Sequence, residues 1–248
     1  MNGYYKEDLA FIHDVGFAEW ALKSAPGILD ILKQNGIREG LVVDLGCGSG
    51  LLAQALTRER YNVLGIDISE AMIAIARKRV PSAEFRVDSL FAADLPACNA
   101  VTSVSECLNY LFDSNNHDFT QFFARVYSAL IPGGVFVFDL AGPGQLKPGT
   151  TTRDFTEGDD WIVLVEKHED PGGVLTRRIT SFRKVGNNYR RAAEVHRQRL
   201  FRFADIAKAL RRAGFRVRTK RKYGQYRLPP AHAVFIARKP APRASSER

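Results

Sequence analysis

Leu41-Val42-Val43-Asp44-Leu45-Gly46-Cys47-Gly48-Ser49-Gly50 is the stretch that decides how this chain folds. A short apolar run meets an acid and passes at once into glycines at alternate positions. Residues 51–60, LLAQALTRER, then read as a helix. Glycines permit a tight strand-to-helix turn with no Cβ in the way, so a ligand can lie on bare backbone near the helix N-terminus. Seventeen residues beyond Gly50, a second apolar run, YNVLGIDIS (61–69), ends in Asp67. In a doubly wound fold that position sets a carboxylate against a pair of ribose hydroxyls. The spacing predicts a nucleoside-type cofactor.

Two frames compete for the loop. Gly48-Ser49-Gly50-Leu51-Leu52-Ala53 can be read as the dinucleotide pattern, but a single match of that kind is a weak signal. Asp-x-Gly-x-Gly-x-Gly, starting at Asp44, fits without forcing. It adds an acid at the strand end, which suits a cationic amino-acid group better than a pyrophosphate. The loop holds no Lys or Arg to meet phosphates.

Outward from this centre, strands and helices alternate. SEAMIAIARKRV (69–80) reads as a helix with Ser69 as N-cap, AEFRVDSL (83–90) as a third strand, and ACNAVTSVSECL (97–108) as the site of a fourth. HDFTQFFARVYSAL (117–130) is an amphipathic helix, and IPGGVFVFDL (131–140) a turn and a fifth strand. Such alternation indicates a parallel sheet covered on both faces. Upstream, residues 5–35 read as helical, with Pro26 expected to open a second helix. After residue 140 the texture changes. GPGQLKPGTT (142–151) is loop, and WIVLVEKHE (161–169), VLTRRITSFRKV (174–185) and YRRAAEVHRQRLF (189–201) read as an antiparallel meander. A helix (203–214) capped by Gly214 and two strands (215–222, 233–239) complete the sheet.

The 248 residues are 45% hydrophobic and 25% charged, the balance of a globular protein rather than a disordered or collagen-like one. Cys47, Cys98 and Cys107 form no C-x-x-C pair, which argues against a disulfide framework or a four-cysteine zinc site. No metal is expected. No signal peptide or membrane-spanning run is visible, so a cytoplasmic setting is expected. Charge is uneven: residues 1–124 sum to −6 and residues 125–248 to +15. Either the arginines form a solvated face or an anionic partner such as nucleic acid meets them. Aromatic interleaving is sparse, which favours the solvated face.

The segments VVDLGCGSG, GIDIS, the acid of FRVDSL, VTSVSECLNYL and Pro132-Gly133-Gly134 before VFVFDL together resemble the class I S-adenosylmethionine-dependent methyltransferases. The resemblance covers residues 41–140 and is looser elsewhere. It is similar in layout to a small-molecule branch that includes glycine and amino-sugar N-methyltransferases. It implies an α/β fold: a Rossmann-like, doubly wound, seven-stranded, mostly parallel sheet with an N-terminal helical lid and an antiparallel β insertion. The implied division is a lid (1–36), a core (37–145 and 202–240), an insertion (146–201) that shapes substrate choice or an interface, and a disordered tail (241–248). S-adenosyl-L-methionine is the implied cofactor. Gly46, Gly48 and Gly50, with Asp44 and Cys47 in the same loop, would surround its methionine part. Asp67 would hold the ribose and Ile68 touch the adenine. Asp88 and the Ser89 backbone would meet the adenine amino group. Ser105 or Glu106 would lie by the transferred methyl.

The expected function is methyl transfer to a nitrogen or oxygen of a small molecule, with an RNA or protein acceptor on the basic C-terminal face as the alternative. A homodimer is a further expectation, and no membrane contact is. His13, in the lid and beside Asp14, could accept a proton or be a surface helix histidine. Glu194, His196 and Gln198 share one face of a strand and either line a polar substrate pocket or form a solvated face. Tyr4 and Tyr5 could close over the cofactor as a flap or be a frayed terminus. Asn109 and Tyr110 fall where substrate should enter, or are ordinary loop packing. Val104-Ser105-Glu106-Cys107 lacks the Asn/Asp-Pro-Pro-Tyr/Phe pattern of adenine amino-methylation, and Cys107 lacks the proline of a cytosine-attacking thiol. Cys107 is expected to act as a small buried hydrophobe.

Overall fold

The computed structural model describes residues 4–112 and 119–241. The expected disorder of the tail from residue 242 onward lies outside them. Helices α1 (Glu7–Gly16) and α2 (Glu19–Gln34) lead into β1 (Leu41–Leu45), α3 (Leu51–Arg58), β2 (Asn62–Asp67), α4 (Glu70–Arg79), β3 (Glu84–Val87) and β4 (Cys98–Ser103). After a single 3-10 turn at Cys107–Asn109 come α5 (Phe119–Ala129) and β5 (Leu130–Ala141). Strands β6 (Thr151–Gly158), β7 (Trp161–Glu169), β8 (Val174–Val185) and β9 (Asn188–Arg199) follow. Last are α6 (Phe203–Arg212), β10 (Arg216–Lys220), the short β11 (Lys222–Tyr223) and β12 (Tyr226–Arg227), and β13 (His232–Arg238).

The main sheet has seven strands in the order β10-β13-β5-β4-β1-β2-β3. β1 pairs in parallel with β2 and β4, β2 with β3, and β4 with β5; β13 runs antiparallel to both β5 and β10. Strand order reverses beside β1, so a crevice opens at the carboxyl ends of β1, β2 and β4, where ligands bind in such sheets. Register sets Asp44 opposite Thr102 on one side and Gly65 on the other. This is the doubly wound, seven-stranded, mostly parallel sheet expected. Its inner strands β13, β5, β4, β1 and β2 are near-continuous buried runs because helices cover both faces, while the edge strands β3 and β10 are largely exposed. One layer is aromatic, with Phe122, Phe123, Phe136, Phe138 and Phe235. The other is aliphatic, with Ile28, Leu32, Val42, Leu56 and Val137.

Strands β6–β9 form a separate antiparallel sheet. Its inner face carries Trp161, Val163 and Ile179 onto Leu9 and Ile12 of α1. Helix α1 and the β6–β9 sheet therefore share one small core.

Two local expectations are corrected. Pro26 lies inside α2 rather than opening a helix. Its missing N–H and ring would disfavour that site, but the surrounding turns are pinned by buried Ala25, Ile28, Ile31 and Leu32, and a Cβ on Gly27 would lie 2.3 Å from the Tyr223 carbonyl carbon. The meander has four strands, not three, because polar Thr151–Gly158 pairs along its whole length with β7. The β11–β12 hairpin, only two residues a side, has no periodicity from which it could be read.

Candidate functional site

The loop after β1 takes left-handed φ values at Gly46 (71°), Gly48 (52°) and Gly50 (80°). Side chains rarely tolerate that region, which is why glycine stands there. The N–H groups of Gly46 and Cys47 both donate to Ile66 O, at 2.7 and 3.1 Å, folding the loop onto the end of β2. A Cβ on Gly46 would come within 2.6 Å of Cys107 Sγ, whereas Gly48 faces open space. The open space belongs to a cleft lined by Asp44, Gly46, Cys47, Gly48, Asp67, Ile68, Ser89 and Ser105, with Tyr5, His13, Tyr110, Phe112 and Cys107 across from them. Gly50, which caps the start of α3, is set back from it against Ala76 of α4.

Two acids frame the loop. Asp67 accepts Gly48 N–H at 2.9 Å and Ser69 N–H at 2.8 Å. Burial raises its pKa, against the lowering effect of those backbone donors. Asp44 accepts the Thr102 hydroxyl at 2.7 Å. Burial, reinforced by the neighbouring Asp67 charge and opposed by Thr102, pushes Asp44 up to about 7. A carboxylate held that high gains most from a cationic guest. Ile68 is 39% exposed at the cleft edge. Bare backbone, two acids and an exposed apolar side chain fit an adenosyl group carrying a charged amino acid. Asp88 departs from expectation: it is exposed, does not line the cleft, and turns its carboxylate back onto Ser89 N at 2.7 Å. Only Ser89 of that pair reaches the cleft. Burial pushes the Cys47 and Cys107 thiols up, leaving both as neutral, unreactive liners.

The opposite wall is built by the N-terminus and the insertion. Tyr5 N and Lys6 N donate to the two oxygens of Glu194, at 2.8 and 3.0 Å, and Ser69 Oγ donates to Tyr5 O at 2.8 Å. Tyr4 stacks on Phe112 with ring centroids 3.9 Å apart. The segment is a strap, not a frayed end. Glu194, His196 and Gln198 do share a face, and it is buried, which overturns the solvated alternative. None of them lines the cleft directly; His196 lies behind Tyr5, with ring centroids 4.8 Å apart. Glu194 also takes His196 Nε2 at 2.8 Å. Although burial opposes it, these hydrogen bonds hold its pKa below the ordinary value, so the carboxylate is a latch rather than a spare base. His13 lines the cleft and is not a surface residue. Burial pushes it down to about 4, so it is a neutral imidazole and a feeble proton acceptor at neutral pH. Asn109 is buried and bonds both Ala141 N–H and O, a packing role. Tyr110 reaches the cleft and meets Tyr5 hydroxyl to hydroxyl at 3.0 Å.

Sequence reasoning set Glu106 by the transferred methyl, but it turns away from the cleft, where only Ser105 of that pair lies, and Arg177, His232 and Asp139, which hold this wall with it, were missed. Glu106 accepts from His232 Nε2 (2.9 Å), Gln198 Nε2 (2.8 Å) and Arg177 Nη2 (3.1 Å). Burial would raise its pKa, but the Arg177 charge and the His232 bond bring it to about 2. His232 Nδ1 faces Pro230 O at 2.8 Å, so both ring nitrogens face acceptors. Despite burial, Glu106 raises its pKa toward the charged form. Asp139 receives Ser105 N, Glu106 N, Tyr223 OH and Trp20 Nε1. A lone acid in the apolar run VFVFDL was the one available signal; nothing marked Arg177 among so many arginines. Among the described residues no cluster of three His, Cys, Asp or Glu could hold a metal ion, and no helix is long and apolar enough to cross a membrane.

Comparison with known proteins agrees with this geometry. Residues 42–134 match the methyltransferase domain family. The chain is 27% identical over 227 residues to the dTDP-3-amino-3,4,6-trideoxy-alpha-D-glucopyranose N,N-dimethyltransferase of Streptomyces venezuelae, covering 86% of this chain and 92% of that one. Its structure resembles an S-adenosylmethionine-dependent methyltransferase from Clostridium acetobutylicum, with a TM-score of 0.80, 20% identity, and coverage of 94% and 98% of the two chains. It also resembles the sugar N-methyltransferase KedS8 from Streptoalloteichus sp. ATCC 53650, with a TM-score of 0.76, 20% identity, and coverage of 97% and 96%. Those two likenesses establish the fold.

Proposed function

We propose that this chain, which belongs to the class I S-adenosylmethionine-dependent methyltransferases, carries the methyl group to a nitrogen or oxygen of a small molecule. The observation that carries the reading is the buried Asp44 carboxylate beside the bare backbone of Gly46 and Gly48, a cradle for a cation on an adenosine. S-adenosylmethionine supplies an electrophilic methyl on a sulfonium, so the leaving group is already in place. What remains for the protein is to bind, orient and exclude water. Asp67 is the residue we assign to the ribose hydroxyls, Asp44 to the methionine ammonium, and Ile68 and Ser89 to the adenine. Tyr5, Tyr110 and Phe112 shut out water on the acceptor side. Neutral His13 and latched Glu194 argue against a strong general base, which suits an acceptor that arrives already able to attack.

The similarity to a sugar N,N-dimethyltransferase supports the small-molecule acceptor. The basic charge does not call for a polyanion: Arg177 is paired with Glu106, and Arg183 and Arg190 with Asp8. A homodimer is part of the reading, supported by exposed Phe155, Leu164 and Val195 on the outer face of β6–β9, and mass in solution tests it. Free cysteines at all three positions support a reducing, cytoplasmic setting. The deciding experiment offers methyl-labelled S-adenosylmethionine with a panel of amines and phenols. Label transfer above a cofactor-only control is expected; no binding of the donor or of S-adenosylhomocysteine by calorimetry would sink the proposal.

A further inference from the structure

The acceptor end of the cleft deepens the methyl-transfer reading, on which the present inference rests, to the class of molecule that is methylated. Four rings stand there, Tyr5, His13, Tyr110 and Phe112, and they line the same cleft as Asp44, Gly46, Gly48 and Asp67. A guest held by them therefore shares one space with the donor. Tyr110 and Phe112 stack with centroids 4.5 Å apart. Tyr5 lies edge-on to the others, at 5.2 Å from His13, 6.3 Å from Phe112 and 6.4 Å from Tyr110. The rings come from the N-terminal strap, from α1 and from the segment after β4. All four are half-buried, so each keeps an open surface.

The two tyrosines present ring rather than hydroxyl. Their hydroxyls meet each other at 3.0 Å, and Tyr110 OH also faces Arg177 Nη1 at 3.5 Å. Charge on the lining has one sign. Asp44 and Asp67 are its acids, and among the described residues no Lys or Arg lines the cleft. Neither residues 1–3 nor residues 113–118, which continue the two segments, contain Lys or Arg. The neighbouring cations are engaged or turned out: Arg177 Nη2 is on Glu106 at 3.1 Å, Arg79 Nη2 is on Asp14 at 2.8 Å, and Lys6 is exposed. A phosphate or carboxylate set against the rings would lose its water with no lining cation to replace it. A positive nitrogen is favoured by the π faces, and the two acids do not oppose it.

We propose that the acceptor is an amine on an apolar or aromatic body that carries no phosphate or carboxylate, and that Tyr5, Tyr110 and Phe112 grip this body while the nitrogen faces the donor. The nitrogen lone pair forms the N–C bond as the methyl–sulfur bond breaks, and the electrons of the broken bond stay on sulfur as a thioether. The nitrogen becomes an ammonium and gives its proton to water. Positive charge thus passes from sulfur to nitrogen within a wall of rings. A hydroxyl acceptor would need its proton taken during attack. His13, pushed down to about 4, and Glu194, latched to the strap, do not supply that base.

Calorimetry on the full chain loaded with S-adenosylhomocysteine compares phenethylamine, glucosamine and UDP-glucosamine. Phenethylamine should bind about tenfold more tightly than glucosamine, the worth of one good contact with a ring, and UDP-glucosamine no better than glucosamine. From methyl-labelled S-adenosylmethionine, label should pass to phenethylamine and not to 4-ethylphenol, which offers a hydroxyl on a similar body. Tyr110→Leu and Phe112→Leu should each weaken phenethylamine about tenfold while S-adenosylhomocysteine affinity holds, and Tyr110→Phe, which keeps the ring, should recover most of the loss. If the leucine variants melt too low to measure, the ligand series on the unaltered protein still decides. UDP-glucosamine binding as tightly as phenethylamine, phenethylamine binding no better than glucosamine, label on the phenol or none on the amine, or undiminished affinity in both leucine variants would overturn the assignment. Any of these with S-adenosylhomocysteine still bound leaves the enzyme reading intact. Failure to bind S-adenosylhomocysteine would remove both.

Discussion

Asp139 Oδ1 accepts the backbone N–H of Glu106 at 2.6 Å while its Oδ2 takes that of Ser105 at 3.1 Å. Ser105 and Glu106 are consecutive residues with left-handed backbones, φ 68° and 60°. Neither is glycine, so the pair is strained, and the buried carboxylate of β5 holds it. The bend brings Ser105 to the cleft and sends Glu106 the other way, onto Arg177 and His232. Asp139 is therefore a positioning residue for the whole acceptor wall. Asp139→Ala leaves four donors, from Ser105, Glu106, Trp20 and Tyr223, without their acceptor. Denaturant unfolding should show a loss of about 2–4 kcal/mol. Asp139→Asn keeps one acceptor oxygen and should lose less. A stable Asp139→Ala protein would mean that the bend is held by something else.

Asp44 predicts how donor binding responds to pH. Its folded pKa, about 7, lies above the unfolded value of 3.8. Ionising it in the free protein therefore costs stability as pH rises between those values. A bound cation reverses the balance by favouring the carboxylate. Affinity for S-adenosylmethionine should climb from pH 6 to pH 8 and level off above, with proton release near neutrality visible as a buffer-dependent heat. Asp44→Asn should bind more weakly at pH 8 and lose the pH slope. A slope that survives the substitution would assign the titration to another group.

How far the site could be read from sequence depended on the kind of contact. Asp44, Gly46, Gly48 and Asp67 act through local backbone geometry, at fixed steps from a strand end, and such geometry leaves a pattern in the chain. Asp88 follows the same pattern, but its carboxylate turns onto the adjacent Ser89 N–H rather than lining the cleft. The acceptor wall is the opposite case. Glu106, Arg177, Gln198 and His232 meet across 71, 92 and 126 residues, and spacing along the chain says nothing of such meetings. Period-two alternation did place Glu194, His196 and Gln198 on one face. It could not say whether that face was wet or buried, because its arginine neighbours alternate outward either way. β6 was missed for a similar reason: its side chains are exposed, and only pairing with β7 makes it a strand.

Asp67 carries two loads that one substitution can separate. Its oxygens brace Gly48 and Ser69, and the same carboxylate is the one we assign to the ribose. Asp67→Ala should weaken S-adenosylhomocysteine binding by ~1.5–3 kcal/mol, the worth of hydrogen bonds to a charged group. It should also lower the melting temperature of the free protein, since two loop amides lose their acceptor. Asp67→Asn retains one acceptor oxygen and adds a donor, so it should recover part of the stability but little of the affinity. Unchanged calorimetric affinity in Asp67→Ala would move the ribose elsewhere in the cleft.

Glu194 makes the strap a removable cover. It joins residues 189 and 188 apart in sequence to Tyr5 N and Lys6 N, with Ser69 as the other fixing point on Tyr5. Its pKa lies below the ordinary 4.5, so the latch is intact at neutral pH and is lost only as pH falls through the carboxylate range. Glu194→Ala should free both amides, and hydrogen exchange read on the N-terminal peptide should speed up there while β1 and β4 stay protected. Turnover should fall because water reaches the transfer site, yet S-adenosylhomocysteine affinity should drop less than in Asp67→Ala, since Glu194 does not touch the glycine loop. Glu194→Gln, which keeps one acceptor, should lie between. If exchange of the N-terminal peptide is as slow in Glu194→Ala as in the unaltered chain, the strap is held by the stacking of Tyr4 on Phe112 and by Ser69, and the carboxylate is no latch.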